Sequence, residues 1–316
     1  MKAFAPSSIS DTRTGEDDEM TRIIDAHQHF WRTAAQAQPW RQAAHAELER
    51  DFSPEDLHKD LDAARVDATV LMQSVDESAE NDRLAAYGHD ERVAGVVYWL
   101  PIRLGTLALA ELRTRETPKI CGVRCLIADD PLEWLNDRNS VELFREVAER
   151  DLAWDVVPIT IAQIQSVLKL ARQLPDLKIV IDHLGRPPLE TLEWEPWASH
   201  IRELARLPNI AMKVSVGIDA LTAWPSWKAA SLDRYVAFAY EQFGAERLML
   251  ASNWPVVLLR ASYGQAWADL SAIVDKNLSG EGERTDVLGG TAERWYGLNH
   301  HIAHAVNKEA RTETNR

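Results

Sequence analysis

The sequence predicts an α/β protein folded as a single (β/α)₈ barrel. Eight short apolar, β-branched runs recur along the chain, and each is followed by an amphipathic helical stretch. No glycine fingerprint of a doubly wound open sheet is present, and such a sheet would stop at about five or six strands. The 316 residues, 46% of them hydrophobic, supply one large core.

The elements follow in order. The first strand covers 22–30 (RIIDAHQHF), and a Trp- and Gln-rich loop follows it. Ser53, Pro54, Glu55 and Asp56 then open a helix in the order of cap, first-turn proline and acids. Strand two (67–74) leads to a helix at 79–87, strand three (93–100) to 107–116, and strand four (120–127) to 141–151. Strand five (153–157) leads to 161–174, strand six (178–184) to 194–206, strand seven (210–216) to 231–243, and strand eight (247–253) to 265–277. A final packing helix is expected over 284–298. The reading is one domain at 21–298, with a disordered leader at 1–20 and a frayed tail at 299–316. Met20, immediately before TRIIDAHQHF, is an alternative start.

Composition narrows the partners. With 35 basic and 49 acidic residues the net charge is −14, which disfavours nucleic acid and anionic membrane surfaces. No run approaches the roughly 18 apolar residues of a membrane span, and the N-terminal residues lack a secretory h-region. Cys121 and Cys125 make no disulfide framework, which suits a reducing cytoplasm.

The chemistry-bearing residues cluster at strand ends. Strand alternation places Asp25, His27 and His29 on one face, with both histidines at the C-terminal end, the catalytic rim of such a barrel. Two adjacent imidazoles form half of a divalent-metal site, although satisfied core histidines have the same spacing. His183 closes strand six and shares parity with Ile179 and Ile181, which sets it at the barrel mouth if those aliphatics point inward. His27, His29 and His183 are therefore the candidate metal set. Gly122 and Arg124 share a face of strand four, Lys213 and Ser215 a face of strand seven, Asp155 lies in strand five, and Gln73 is the next-to-last residue of strand two. Arg124, Gln73, Lys213 and Asp155 are candidates for substrate binding, and an outward ion pair with a barrel helix is the competing expectation for such charges. Cys125, offset by one from Arg124, is expected beneath a helix. Trp31, Trp40, Trp134, Trp224, Trp227 and Trp254 fall in loops after strands, where flat faces stack on sugar rings or simply pack.

Four segments in this order, IIDAHQHFW, GVR, IDHLGRP and LASNWPV, resemble the amidohydrolase superfamily. More narrowly they are similar to the amidohydrolase-2 group of sugar lactonases, which includes L-fuconolactonase, L-rhamnonolactonase and 2-pyrone-4,6-dicarboxylate lactonase. The likeness runs from Arg22 to about Leu298 and includes the closing GGTAERWYGL, where Thr291 stands in place of the commoner Asn. It implies a distorted, metal-dependent-hydrolase-like (β/α)₈ barrel. His27 and His29 match the strand-one pair, His183 the strand-six histidine and Arg124 a substrate-binding arginine. Some members bind zinc and others need no metal, so one divalent metal and a metal-independent site both stand. The strand-eight motif is usually SDWP, with Asp as general base; here it is Ser252-Asn253-Trp254-Pro255. An amide cannot accept a proton at neutral pH. His183 then takes the base's part, or the reaction differs, or activity is lost.

The expected activity is hydrolysis of a sugar-derived or related acidic lactone by water attack on the carbonyl. The catalytic set is His183, Asn253 and His29, with Trp254 joining the substrate-binding residues. A lyase decarboxylating a muconate-type or aromatic acid, a lactone isomerase and a non-catalytic binding barrel are the rival readings. The partner is a small-molecule lactone or acid, and a homodimer is the candidate assembly.

Overall fold

The computed structural model describes residues 22–116 and 118–298; the expected leader and tail lie outside the described residues. Eight parallel strands pair in chain order: β1 (Ile24–Gln28), β2 (Ala68–Met72), β3 (Val93–Trp99), β4 (Ile120–Arg124), β5 (Ala153–Val156), β6 (Lys178–Ile181), β7 (Ile210–Val214) and β8 (Leu248–Leu250). Around them run α1 (Pro54–Ala64), α2 (Ser78–Tyr87), α3 (Gly105–Thr114), α4 (Arg138–Glu149), α5 (Ile161–Gln173), α6 (Trp197–Ala205), α7 (Ile218–Ala223), α8 (Asp233–Phe243), α9 (Tyr263–Asn277), α10 (Glu281–Thr285) and α11 (Thr291–Tyr296). The structure is the predicted (β/α)₈ barrel. Among the described residues no helix is long and apolar enough to cross a membrane.

Local chemistry fixes the helix starts. Ser53 and Asp56 form a capping box at α1, with Pro54 in the first turn, and Thr160 and Gln163 repeat the box at α5. The helix expected at 194–206 begins only at Trp197, because Pro196 disfavours helical backbone at the preceding Glu195. The helix expected over 284–298 is broken: α10 runs into a π-helical turn at Asp286–Gly290 before α11. Here the chain presses on the start of β1. A Cβ at Gly289 would lie 1.7 Å from the Arg22 carbonyl oxygen, so only glycine fits.

Two apolar layers result. Ile24, Ala26, Val70, Val97, Cys121, Ala153, Val180 and Ala211 fill the barrel interior. Tyr98, Val123, Trp154, Ile179, Ile181 and Met212 face outward into the helices.

The barrel closes at one seam. Strand β8 has only three residues, and β1 meets the chain beyond it through Asn253 N–H to His27 O at 2.9 Å and His29 N–H to Trp254 O at 2.8 Å. Below these bonds the Asp25 carboxylate accepts from the Ser252 amide at 2.8 Å and the Ser252 hydroxyl at 2.5 Å. A side chain thus replaces missing ladder bonds.

Candidate active site

The site is assembled where strand regularity fails. Between Asp25 and Gln28 the register of β1 against β2 slips, so that three steps on β1 match two on β2. The bulge corrects the expectation that Asp25 shares a face with the histidines. Asp25 turns to the Ser252 seam, whereas His27 and His29 both face the mouth, their Nε2 atoms 3.1 Å apart.

Strand β6 corrects a second premise. Ile179 and Ile181 pack outward, so the parity argument that set His183 at the mouth does not hold. The alternation instead points Val180 and Asp182 inward. His183 reaches the rim because the chain leaves the strand there: His183 and Leu184 take left-handed φ values of 54° and 53°. Its ring centroid lies 4.6 Å from that of His27, and Nδ1 is 2.8 Å from Ser215 Oγ.

Asp182, which sequence reasoning missed, is the hub. Its Oδ1 lies 3.2 Å from His27 Nδ1 and 3.1 Å from Lys213 Nζ, and its Oδ2 accepts from Arg124 Nε at 3.1 Å. Burial pushes this carboxyl up, but Lys213, His27 and Arg124 outweigh it and hold the group well below the usual range. Lys213 also donates to Asp155 at 2.5 Å. Burial raises Asp155 to about 6, against the lowering effect of Lys213. The only advance signal for Asp182 was its place in IDHLGRP, one residue before the expected histidine.

All three histidines are neutral. Burial drives His27 well below its ordinary value, and burial with the Arg124 charge brings His29 to about 3. His183 also falls to about 3 through burial, which the Asp182 charge opposes, with Arg124, Arg186 and Lys213 adding to the lowering. Their tautomers follow from partners. His29 Nδ1 must donate to the Met72 carbonyl at 3.0 Å, and His27 Nδ1 donates to the Asp182 carboxylate at 3.2 Å. The Lys213 ammonium, 3.3 Å from that nitrogen, has Asp155, Asp182 and the Met72 sulfur to take its three protons. Each therefore presents a bare Nε2 lone pair to the other across 3.1 Å. Two acceptors so placed are reconciled by a cation between them. Ligand atoms of His27, Asp182 and His183 also lie within 4.8 Å of one another. This nitrogen-and-carboxylate set fits one divalent cation of the zinc type.

Above the histidines lies a cavity of ≈ 250 Å³. His29, Arg124, His183, Arg186 and Asn253 give it a polar side, and Trp40, Ile127, Val157, Ile218 and Val256 an apolar one. Arg124 Nη1 is held by the Gln73 backbone and side-chain oxygens at 2.9 and 3.0 Å. Its Nη2 has no partner among the described residues. Asn253 sits at φ 58° and donates Nδ2 to the Val216 carbonyl at 2.8 Å, which leaves Oδ1 as an acceptor. Arg186, the arginine of IDHLGRP, lines the cavity and pairs with Asp219; it was not singled out from sequence.

The other expected substrate residues sit elsewhere. Gln73, Lys213 and Asp155 are buried beneath the cavity and touch Arg124 or one another. Trp254 does not line the cavity, because its ring packs into an aromatic cluster with Phe30 and Phe52. Of the six loop tryptophans only Trp40 lines it, with its indole N–H on the Ser74 carbonyl at 2.9 Å. Cys125 is buried in the helix-facing layer as expected, yet it also borders the cavity, since β4 ends at Arg124 and alternation stops.

Residues 24–298 match the family model described as amidohydrolase. The chain is 33% identical over 297 residues to an L-fucono-1,5-lactonase of Burkholderia multivorans, covering 87% of this chain and 96% of that one. It is 28% identical over 193 residues to an L-rhamnono-gamma-lactonase of Scheffersomyces stipitis, covering 54% of this chain and 57% of that one. A crystal structure of a Burkholderia multivorans amidohydrolase with bound zinc superposes with a TM-score of 0.78 at 30% identity, covering 88% of this chain and 99% of that one.

Proposed function

From the premise that this chain belongs to the amidohydrolase family, we propose that it hydrolyses a sugar-derived lactone by water attack on the ring carbonyl. One observation carries the reading: Arg124, His183 and Asn253 converge on a cavity of ≈ 250 Å³. That is below the roughly 300–1,000 Å³ of drug-sized pockets, and suits a single ring. Long, near-complete likeness to a protein named as an L-fucono-1,5-lactonase supports the same class.

The free Nη2 of Arg124 donates to the carbonyl oxygen, where negative charge grows as water adds. Asn253 Oδ1 accepts a hydrogen bond from the water and orients it, but takes no proton. His183, held through Nδ1 by Ser215, receives that proton on Nε2. Burial first, then Arg124, Arg186 and Lys213, suppress its basicity in the resting site, and the developing oxyanion offsets the three cations. Proton uptake thus strengthens as the carbonyl is attacked. The proton then passes to the departing ring oxygen, the carboxylic acid so formed releases its remaining proton to solvent, and Arg124 and Arg186 face the resulting carboxylate. A divalent ion held by His27 and His29, with Asp182 adjacent, would supply Lewis-acid polarisation when bound, and His183 keeps Nε2 for the proton.

The test is a panel of aldonolactones and dicarboxylate lactones followed by a pH indicator, with and without prior chelation and added zinc. Turnover well above the spontaneous rate on at least one lactone is expected, and none on folded protein sinks the reading. His183→Ala should abolish hydrolysis with the fold intact, and Asn253→Ala should cost less. A barrel that kept its pocket after losing its base is the second reading. It is favoured if Asn253→Asp awakens an inactive protein. We expect the reverse, a slower Asn253→Asp, because a carboxylate there meets the Val216 carbonyl that Nδ2 now satisfies.

A further inference from the structure

The floor of the barrel is closed by the end of the described chain. Ala292, Tyr296 and Leu298 enter the interior among Ala94, Val97, Cys121 and Ala153. Tyr296 is fully buried, and its hydroxyl donates to Asp155 Oδ1 at 2.6 Å. The same oxygen accepts from Lys213 Nζ at 2.5 Å, while Asp155 Oδ2 is buried with no partner among the described residues. Asp155 is therefore held through one atom by two donors.

From there contacts run upward without a break. Lys213 Nζ lies 3.1 Å from Asp182 Oδ1, and Asp182 meets His27 Nδ1 at 3.2 Å and Arg124 Nε at 3.1 Å. A lysine ammonium rides on a flexible four-carbon stem, so its position depends on what anchors it. Asp155 is the anchor and Tyr296 its second tether.

On the lactonase reading above, we propose that Tyr296 is a positioning residue for the active site. Its hydroxyl fixes Asp155 and so Lys213, which fixes the Asp182 carboxylate that orients His27 and Arg124. The closing helix thereby does more than plug the floor. A plug alone would need the ring and not the hydroxyl.

Tyr296→Phe keeps the ring and removes only the hydroxyl. We expect kcat to fall about three- to tenfold with KM unchanged, less than the roughly 10- to 100-fold for direct partners of ligating groups, because Tyr296 acts through Asp155, Lys213 and Asp182. In ¹⁵N-histidine spectra the wild-type His27 pattern of protonated Nδ1 and bare Nε2 should broaden toward a tautomer mixture. Tyr98→Phe is the control, since the Tyr98 hydroxyl is buried without a partner among the described residues and its ring packs in the outer layer. It should change neither readout. Wild-type His27 signals in Tyr296→Phe overturn the proposal whatever happens to the rate, and so does an equal tautomer change in Tyr98→Phe. Should Tyr296→Phe not fold, Asp155→Asn removes the same anchor and is read the same way. If the wild type opens no lactone, the reaction assignment fails, and the imidazole spectra still decide this one.

Discussion

Asp25 at the seam and Asp182 at the hub are both fully buried, and both follow an isoleucine at the end of an apolar run. Their states are opposite. Burial raises Asp25 to about 6, and its partners, the Ser252 amide and hydroxyl among them, lower it only in part. Asp182 is held well below the ordinary range because Lys213, His27 and Arg124 outweigh an equal burial. Burial alone therefore does not set ionisation. Dipoles make a carboxylate a clasp between strands, and cations make it an electrostatic hub for catalytic groups.

The largest effect expected from breaking the comparison is at the hub. Asp182→Asn leaves Arg124 without a buried counter-charge, Lys213 with Asp155 alone, and His27 without a fixed tautomer. Stability should fall by roughly 3–5 kcal/mol, the range for removing one partner of a buried ion pair. The value of kcat/KM should fall by about a hundredfold, the upper range for groups that orient ligating histidines. Urea unfolding and lactone hydrolysis measure the two. A variant close to wild type in both would make Asp182 a bystander and leave Arg124 to be held by Gln73 alone.

At the seam the predicted signature is a pH slope. The folded-state value of about 6 lies above the ordinary 3.8, so the folded protein holds the proton more tightly than the unfolded chain. The resulting stability is fully present below about pH 4 and is lost as pH rises through 6. Asn at position 25 cannot titrate. Between pH 4 and 7 the stability difference should therefore move against the wild type by roughly 3 kcal/mol, from about two pKa units at ~1.4 kcal/mol each. Asp182→Asn should show the opposite trend and cost most near neutrality. Equal pH slopes for wild type and Asp25→Asn would remove the seam carboxylate from the titration.

How much of this was legible in the sequence follows from what alternation can and cannot report. Eight strands, their order and the shared faces of Gly122 with Arg124 and of Lys213 with Ser215 came from period-two geometry, which holds inside a ladder. That geometry left open whether Arg124, Lys213 and Asp155 point inward or toward the helices. It failed at Asp25, where a bulge inserts a residue, and at His183, where the backbone turns left-handed; neither event leaves a mark in hydrophobic pattern. Asp182 was hidden by the same error, because assigning His183 the inward parity gave its neighbour the outward one. Trp254 was placed by loop position, but loop residues at a seam pack behind the site as readily as over it. Resemblance to a known motif found His183 where parity could not.

The smallest effect sharpens the seam side. Ser252 Oγ donates to Asp25 Oδ2 at 2.5 Å and accepts from the Trp254 amide at 2.9 Å. Ser252→Ala removes both bonds and keeps the Ser252 amide on Asp25 Oδ1. The cost should be about 1–2 kcal/mol, because each lost bond is modest but leaves a buried group unsatisfied. The hydroxyl also lowers the Asp25 value, so its loss should raise that value further. The pH at which stability declines should move upward from about 6, which chemical denaturation at a series of pH values would resolve. The hydroxyl faces the seam and not the cavity, so kcat/KM should stay close to wild type. A large loss of rate with little loss of stability would show that the seam clasp holds Asn253 in register over the substrate, and would join the two regions that the carboxylates now separate.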